Sequence, residues 1–201
     1  MNALLAVRQA HAGRRRGLSL MELLVGLAIV AVLMAVAAPS MYEFIMRKRV
    51  QGTVDELLGD LRLMRSTQAQ RNARVVIRFG STASMSCYAV YQFSEVGRYC
   101  DCTLSEGSMC AGSATTRALL IKTVKWPNTQ SIRVEPNSGS ATEVLLESVT
   151  GLPENGHSLS VDVSAGSGGR VRVQTSPTFR ASACSVSGHA AHYPACGGGS
   201  S

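Results

Sequence analysis

The pattern of apolar and polar positions divides the chain into two parts. From Leu23 to Tyr42 every residue is uncharged and most are apolar, whereas apolar and polar positions alternate over the rest of the chain. About 20 consecutive apolar residues form a helix long enough to cross the hydrocarbon core of a bilayer. The first part is therefore expected in lipid or inside an apolar assembly, and the second part in water.

A helical pattern continues beyond this apolar stretch. Its apolar positions follow a four-three-four-three spacing that places them on one helix face, and they are Val50, Val54, Leu57, Leu61 and Met64. We predict one helix from Leu18 to about Asn72, with a transmembrane or filament-core half at 18–42 and an amphipathic half at 43–72. Because Pro39 removes one intrahelical hydrogen bond, a kink is expected there.

After Asn72 the pattern changes to short alternating runs separated by Gly, Ser, Pro and Asn, which is typical of strands joined by turns. Seven strands are predicted, at 74–79, 87–93, 119–125, 131–135, 143–147, 158–163 and 170–174. Residues 73–180 are expected to form one antiparallel β-domain, in one or two sheets, packed on the amphipathic face of the helix. The fold class is therefore α+β, and residues 181–201 are predicted to be a flexible, cysteine-containing tail.

The cysteines are even in number, which in an exported chain indicates disulfides, and they are Cys87, Cys100, Cys102, Cys110, Cys184 and Cys196. Zinc is the alternative. The three cysteines at 100, 102 and 110 lack the paired C-x2-C knuckles of structural zinc sites, so no metal is assigned. Cys184 and Cys196 are expected to close a small loop in the tail.

The pairing of the other four cysteines is open. Cys87 and Cys100 flank a predicted hairpin, and Cys102 with Cys110 could close the loop beside it. Six cysteines allow many pairings, and their spacing in the sequence does not select one of them.

The charge of the chain is weak support for a nucleic-acid partner. The formal net charge is +7, but four of the 20 basic residues precede the apolar stretch: Arg8, Arg14, Arg15 and Arg16. Without these four, 16 basic residues face 13 acidic ones, which leaves a net charge of +3. A charge this small says little about partners.

No constellation of catalytic residues is recognised in the sequence. Ser19 lacks the G-x-S-x-G context of a nucleophile elbow, and the glycine-rich run 166–169 is not followed by Lys-Ser or Lys-Thr. His157 follows a turn signal, and His189 and His192 lie in the Gly-, Ala- and Ser-rich tail. We therefore predict no enzymatic activity, no cofactor and no small-molecule substrate.

The segment before the apolar stretch has basic residues, a glycine and one acid in a fixed order. Residues 14–16 are arginines, Gly17 follows them, and Glu22 stands at the start of the apolar run. A carboxylate in a membrane helix costs on the order of 3 kcal/mol, so such a group usually has a partner. After a cut between Gly17 and Leu18, Glu22 could neutralise the new α-amino group across a subunit interface.

The sequence from Gly17 to Val25 resembles the leader junction of type IV pilins and type II secretion pseudopilins. Counting from Leu18, the acid is the fifth residue and Pro39 the twenty-second, as in that family. The resemblance implies cleavage by prepilin peptidase between Gly17 and Leu18, N-methylation of Leu18, and an assembly role for Glu22. The first mature residue of the family is usually Phe, and here it is Leu.

The same resemblance implies a domain organisation and a location. Residues 1–17 would be a leader peptide, and the remaining chain would have a pilin-like fold. The protein would span the bacterial inner membrane once, with the β-domain in the periplasm, and would join other pilins in an extracellular filament. The arginines before the cut agree with this orientation, because cytoplasmic flanks of membrane helices are rich in basic residues.

A second motif lies near the end of the β-domain. In Gly169-Arg170-Val171-Arg172-Val173 the two arginines should point to one face of a strand, about 7 Å apart, close to the spacing of phosphates along a nucleic-acid strand. The motif resembles the G-R-x-R segment of the GspH/FimT branch of minor pilins, in whose FimT-like members it is associated with DNA uptake. It implies a DNA site at Gly169, Arg170 and Arg172. The alternative is that this segment is an ordinary half-exposed strand that binds no ligand.

Three functions are therefore compared. The first is a minor pilin of a type IV pilus, in which DNA binding is an additional role. The second is a GspH-like minor pseudopilin of a type II secretion system with no DNA role. The third is a membrane-tethered DNA-binding module, against which Glu22 argues, because a simple tether does not use a buried acid.

Overall fold

The computed structural model of the protein describes residues 19–93, 99–110, 118–138, 140–166, 168–187 and 192–197. The chain divides into two compact units, Met1–Ser40 and Met41–Ser201. One helix, α1, spans Leu20–Arg71. It ends at Asn72, whose positive φ of 48° is the left-handed conformation in which helices commonly stop.

Within the first unit, the described residues 19–40 are all exposed. The most apolar 18-residue window of α1 has a mean hydropathy of 2.6, and none of it is buried. By length and composition α1 could cross a membrane. Nothing in the described part of this unit covers its apolar side chains.

The described residues of the second unit contain the rest of α1 and eight strands. The strands are β1 Arg74–Ser81, β2 Met85–Phe93, β3 Leu119–Pro127, β4 Ile132–Pro136, β5 Glu143–Leu146, β6 Ser160–Ala165, β7 Arg170–Thr175 and β8 Ala181–Ser187. They form two four-stranded sheets, in the orders β3-β2-β1-β5 and β4-β6-β7-β8, and all neighbouring strands are antiparallel. The α+β class is confirmed, and the seven predicted strands are present with ends shifted by at most two residues.

The predicted apolar stripe of α1 is the centre of the main core. Val54, Leu57 and Met64 are completely shielded from solvent, and Val50 and Leu61 nearly so. Burial of one such side chain stabilises the fold by about 1.5–3 kcal/mol. The same core contains inward-facing residues of both sheets, among them Val75, Val90, Val144, Val163 and Val173. The helix is therefore the shared partner of the two sheets.

A second, smaller core lies on the other face of the first sheet. Along β2, Tyr88 and Val90 belong to the main core, whereas Cys87, Ala89 and Tyr91 belong to the smaller one. It also contains Cys100, Cys102 and Met109 from the segment 99–110. Strand β2 is thus buried on both faces.

The disulfides differ in part from the arrangement considered above. Cys184 pairs with Cys196, as the spacing suggested. For the four cysteines whose pairing was left open, the structure joins Cys87 to Cys102 and Cys100 to Cys110, which differs from the possible Cys102–Cys110 closure. Burial of the segment 99–110 against the sheet decides which sulfurs meet, and the sequence spacing does not report that packing.

The predicted start of the flexible tail, residue 181, is too early in the sequence. Residues 181–187 form β8, which pairs with β7 from Thr175↔Ala181 to Arg170↔Ser187. Small residues such as Ala and Ser have low strand propensity, so the sequence of this segment gives a weak signal. Its position beside β7 and the buried Cys184 supply the order that its composition lacks.

A buried carboxylate ties α1 to the first sheet. Asp60 is only 5% exposed. It accepts a hydrogen bond from the Tyr88 hydroxyl at 2.5 Å and forms an ion pair with Lys122 Nζ at 2.8 Å. Burial and the hydrogen bond to Asp60 raise the pKa of Tyr88 far above its ordinary value. Burial would lower the pKa of Lys122, but its hydrogen bonds to Asp60 and Glu56 outweigh that effect and raise it. The helix and the sheet thereby share one satisfied polar contact inside an apolar interface.

We predict that Asp60→Ala lowers the free energy of unfolding by about 1–3 kcal/mol, because Tyr88 would be left with a buried hydroxyl that has lost its acceptor. Urea unfolding of the full chain in detergent, followed by tyrosine and tryptophan fluorescence, measures this change. Glu56→Ala is the matched control, since Glu56 meets the same Lys122 at the surface and its loss should cost less than about 1 kcal/mol. Equal losses in the two variants would contradict the assignment.

Candidate functional site

The start of α1 is built around Ser19 and Glu22. The Ser19 hydroxyl oxygen accepts a hydrogen bond from the backbone N–H of Glu22 at 3.2 Å, and the Ser19 carbonyl accepts one from Leu23 N–H at 3.2 Å. Ser19-Leu20-Met21-Glu22 has the S-x-x-E spacing of a capping box. This spacing is a signal of a helix start that was not recognised from the sequence. It gives Glu22 a local role, because an acid in the first turn is favoured by the helix dipole.

The predicted cleavage and methylation positions, Gly17 and Leu18, lie outside the described residues. Glu22 is exposed in the first turn of α1. Its pairing with the amino group of another subunit therefore stays a prediction.

The apolar residues of the first unit form an unbroken exposed surface. The large side chains along it are between 46% exposed, at Val30, and 81% exposed, at Leu20. Monomeric soluble proteins rarely leave a large contiguous apolar surface in water. This segment consequently needs an apolar environment that the described chain does not supply.

Pro39 lies inside α1, and the residues before and after it are helical. Proline has no backbone N–H, so the carbonyl of Ala35 loses its usual partner four residues on. A kink at this position remains a prediction.

The two arginines of the G-R-x-R segment lie on one face of β7, as expected. Arg170 is exposed and Arg172 half-buried, while Val171 and Val173 alternate with them and are fully buried. The strand begins after Gly169, whose φ of 87° is a conformation that favours glycine. The structure therefore brings together all three residues named for the DNA site.

The two guanidinium groups are nevertheless not equivalent. Arg172 donates from Nε to Asp162 Oδ1 at 2.7 Å and from an η-nitrogen to Asp162 Oδ2 at 3.1 Å. Asp162 lies directly opposite on β6, and its hydrogen bonds raise the pKa of Arg172 further above its ordinary value. Both arginines lie on one face of the strand as predicted, but the neighbouring strand supplies a carboxylate to Arg172, a contact that the sequence pattern does not reveal.

Arg170 has a different environment. It stands opposite Ser164 on β6 and Ser187 on β8, and within the described residues its side chain makes no ion pair. Only this member of the motif offers an uncompensated charge to a ligand.

Among the residues described, no group of three His, Cys, Asp or Glu side chains is placed to hold a metal ion. All six cysteines are in disulfides, and His157 and His192 are exposed. His189 lies outside the described residues. The two sites to be considered are therefore the start of α1 and the exposed end of β7.

Comparison with known proteins identifies the N-terminal segment. Residues 13–38 match the family described as "Prokaryotic N-terminal methylation motif". The matched range contains the predicted cleavage position, Glu22 and most of the uncharged stretch. The resemblance of this segment to prepilins is confirmed.

Solved structures give more distant likenesses. Two crystal forms of the type IV minor pilin FimU of Pseudomonas aeruginosa (strain PAO1) are similar to this chain. The first has a TM-score of 0.46 and 13% sequence identity and covers 69% of this chain and 90% of FimU. The second has a TM-score of 0.43 and 12% identity and covers 66% and 90%. Comparison with curated proteins gave no match.

Proposed function

We propose that the protein is a minor pilin, a structural subunit that packs its N-terminal helix into a type IV pilus. The observation that carries this proposal is the match of residues 13–38 to the N-terminal methylation motif, on a helix whose apolar residues are exposed throughout the first unit. A disposable export signal has no use for a helix that continues into the core of a folded domain. In α1, the residues after the apolar stretch are that core.

The motif match supports a sequence of steps before assembly. Prepilin peptidase removes residues 1–17 at Gly17, the amino group of Leu18 is methylated, and the chain waits in the inner membrane with the apolar half of α1 in lipid. Lipid and neighbouring pilin helices are alternative partners for the same surface, so transfer from one to the other exposes little apolar area to water. The β-domain lies in the periplasm until the subunit joins other pilins.

Glu22 is the one charged residue in the otherwise apolar segment 19–40, which comprises the first part of α1 and the residue before it. In the membrane it sits in the first turn of α1, beside the chain end that cleavage creates. In a filament, the positive amino group of Leu18 on one subunit and Glu22 on the next can neutralise each other, which fixes the register of the two helices. A pseudopilus of a type II secretion system would use the same contact, and it remains the alternative assembly.

We predict that Glu22→Ala is processed and inserted in the membrane but enters filaments at less than a tenth of the wild-type level. Immunoblots of membranes and of sheared filaments measure the two pools. Ser19→Ala is the matched control, because it removes the helix cap and leaves the charge. Normal incorporation of Glu22→Ala would contradict the pairing role, and an equal defect in Ser19→Ala would assign the effect to the helix start.

Weak, sequence-independent DNA binding is a second proposed role, and the exposed, uncompensated Arg170 favours it. Arginine contacts phosphate through two parallel hydrogen bonds of its guanidinium group. The positive φ of Gly169 lets the chain turn just before Arg170. Arg172 contributes less, because Asp162 already occupies its fork.

In duplex DNA binding by the full chain in non-ionic detergent, we predict that Arg170→Ala lowers affinity several-fold at low salt. Arg172→Ala/Asp162→Ala should change it less than twofold, since this double change removes the ion pair and leaves the net charge of the surface unaltered. Fluorescence anisotropy with a labelled duplex, repeated at several salt concentrations, measures both. Unchanged affinity in both variants would remove this motif from the DNA-binding surface.

A further inference from the structure

Arginines are half of the residues that line a groove in the second unit. It lies between the last third of α1 and the turn from β7 to β8 and has a volume of about 270 Å³. Its lining residues are Leu61, Arg62, Arg65, Phe179, Arg180 and Ala181. Three of the six are basic and none is acidic.

The three guanidinium groups of this groove have no charge partner. Arg62, Arg65 and Arg180 are exposed, and within the part of the chain that the structure describes none of their side chains makes a hydrogen bond or ion pair. Some other cations of the domain are compensated, among them Arg78 by Glu143 and Arg172 by Asp162. Like charges on neighbouring positions repel each other, so an anion bound in the groove would reduce the repulsion between these arginines.

The first two arginines are held by the helix. Arg62 and Arg65 are three positions apart, so their Cβ atoms are neighbours on one face, about 5–6 Å from each other. The preceding residues in the chain, Leu61 and Met64, are 1% exposed and fully buried, so they face the core and fix the helix face that carries the charges.

The third arginine is held by a tight turn. Arg180 N–H donates to the Ser176 hydroxyl oxygen at 3.0 Å, and Ser176 N–H donates to the Arg180 carbonyl at 2.9 Å. Phe179 has a φ of 56°, which is unusual for a bulky residue, and its ring is 3% exposed. Burial of the Phe179 ring offsets this strain and directs the chain so that Arg180 lines the groove.

We propose that this groove binds the phosphodiester backbone of duplex nucleic acid. Three unpaired forks suit successive phosphates, because arginine binds phosphate oxygens in bidentate fashion and phosphates along a strand are spaced like neighbouring positions on the helix. Phe179 is buried and offers no surface for a base to stack on, so single strands gain nothing over a duplex. The binding is independent of sequence.

The shape of the groove favours a chain over a small anion. A site for a free anion is enclosed and built from buried donors, whereas the three arginines here are exposed along an open surface. The groove shares no residue with the Arg170 motif, so the proposal is independent of that motif and of the role in assembly.

Salt dependence sets the expected magnitude. Release of about 0.9 counterions per phosphate contact on a duplex means that three contacts make affinity fall about 40-fold between 50 and 200 mM salt. Loss of two of these contacts should lower the slope of log affinity against log salt by about 1.8.

The experiment compares Arg62→Ala/Arg180→Ala with Arg47→Ala/Arg133→Ala, which removes the same charge at surface positions paired to Glu43 and Glu135. The full chain in non-ionic detergent is titrated against a labelled duplex of about 20 base pairs, and binding is measured by fluorescence anisotropy. The titration is repeated at salt concentrations from about 50 to 200 mM, the range over which the salt dependence was calculated above. We expect the groove variant to lose about tenfold or more in affinity with the stated fall in slope, and the control to change less than threefold. Arg62→Lys/Arg180→Lys keeps the charge and should recover part of the loss.

Several results would overturn the proposal. Equal losses in the groove and control variants would show that net charge alone drives binding. Displacement of the duplex by polyglutamate at the same charge concentration would assign the groove to acidic protein segments, and stronger binding to vesicles of anionic lipid would assign it to a membrane surface. Pilus incorporation of the groove variant is measured in parallel, so a failure to bind duplex is distinguished from a failure of the proposed pilin role.

Discussion

The apolar surface of α1 is the constraint on which the rest of the structure depends. In the second unit, Val50, Val54, Leu57, Leu61 and Met64 are covered by two sheets, and this contact is the main core. In the first unit, the apolar side chains have no cover within the described chain. One continuous helix therefore carries both a satisfied interface and an unsatisfied one, and the second can be satisfied only by lipid or by another molecule.

Polar contacts add specificity to this apolar interface. Asp60 is the polar residue through which the helix meets both Tyr88 and Lys122 of the first sheet. Because a buried carboxylate is tolerated only with its partners in place, it disfavours other rotations of the helix on the sheet. The two disulfides at 87–102 and 100–110 hold a second layer against the far face of that sheet. The first sheet is thus covered on both faces, a feature that α1 alone would not provide.

Periodicity and motif spacing predicted much of this arrangement. The stripe on α1 follows from a spacing that only a helix satisfies, and seven strands follow from alternation between turn residues. Strand β8 could not be found this way, since Ala181 to Ser187 are small residues whose order comes from pairing with β7. The disulfide pairing also depends on which face of β2 the segment 99–110 covers, and that is a property of packing.

The sites were predicted unevenly for a similar reason. Gly17, Leu18 and Glu22 are identified by consecutive residues, so a linear motif was sufficient, and the matched family covers the same range. The charge state of a surface depends instead on residues far apart in sequence. Asp162 neutralises Arg172 across two strands, whereas Arg180 lies beside Arg62 and Arg65 after a separation of more than 100 positions. Neither relation is visible until the strand register is known.

The central claim is that the apolar half of α1 remains in the mature protein as its assembly surface. Intact-mass spectrometry of the chain purified from membranes of cells that contain prepilin peptidase tests this directly. We expect a mature protein that begins at Leu18 and carries one added methyl group on its amino terminus. A mature chain that begins after Ala37 would contradict it, because the surface proposed to build the filament would have been removed.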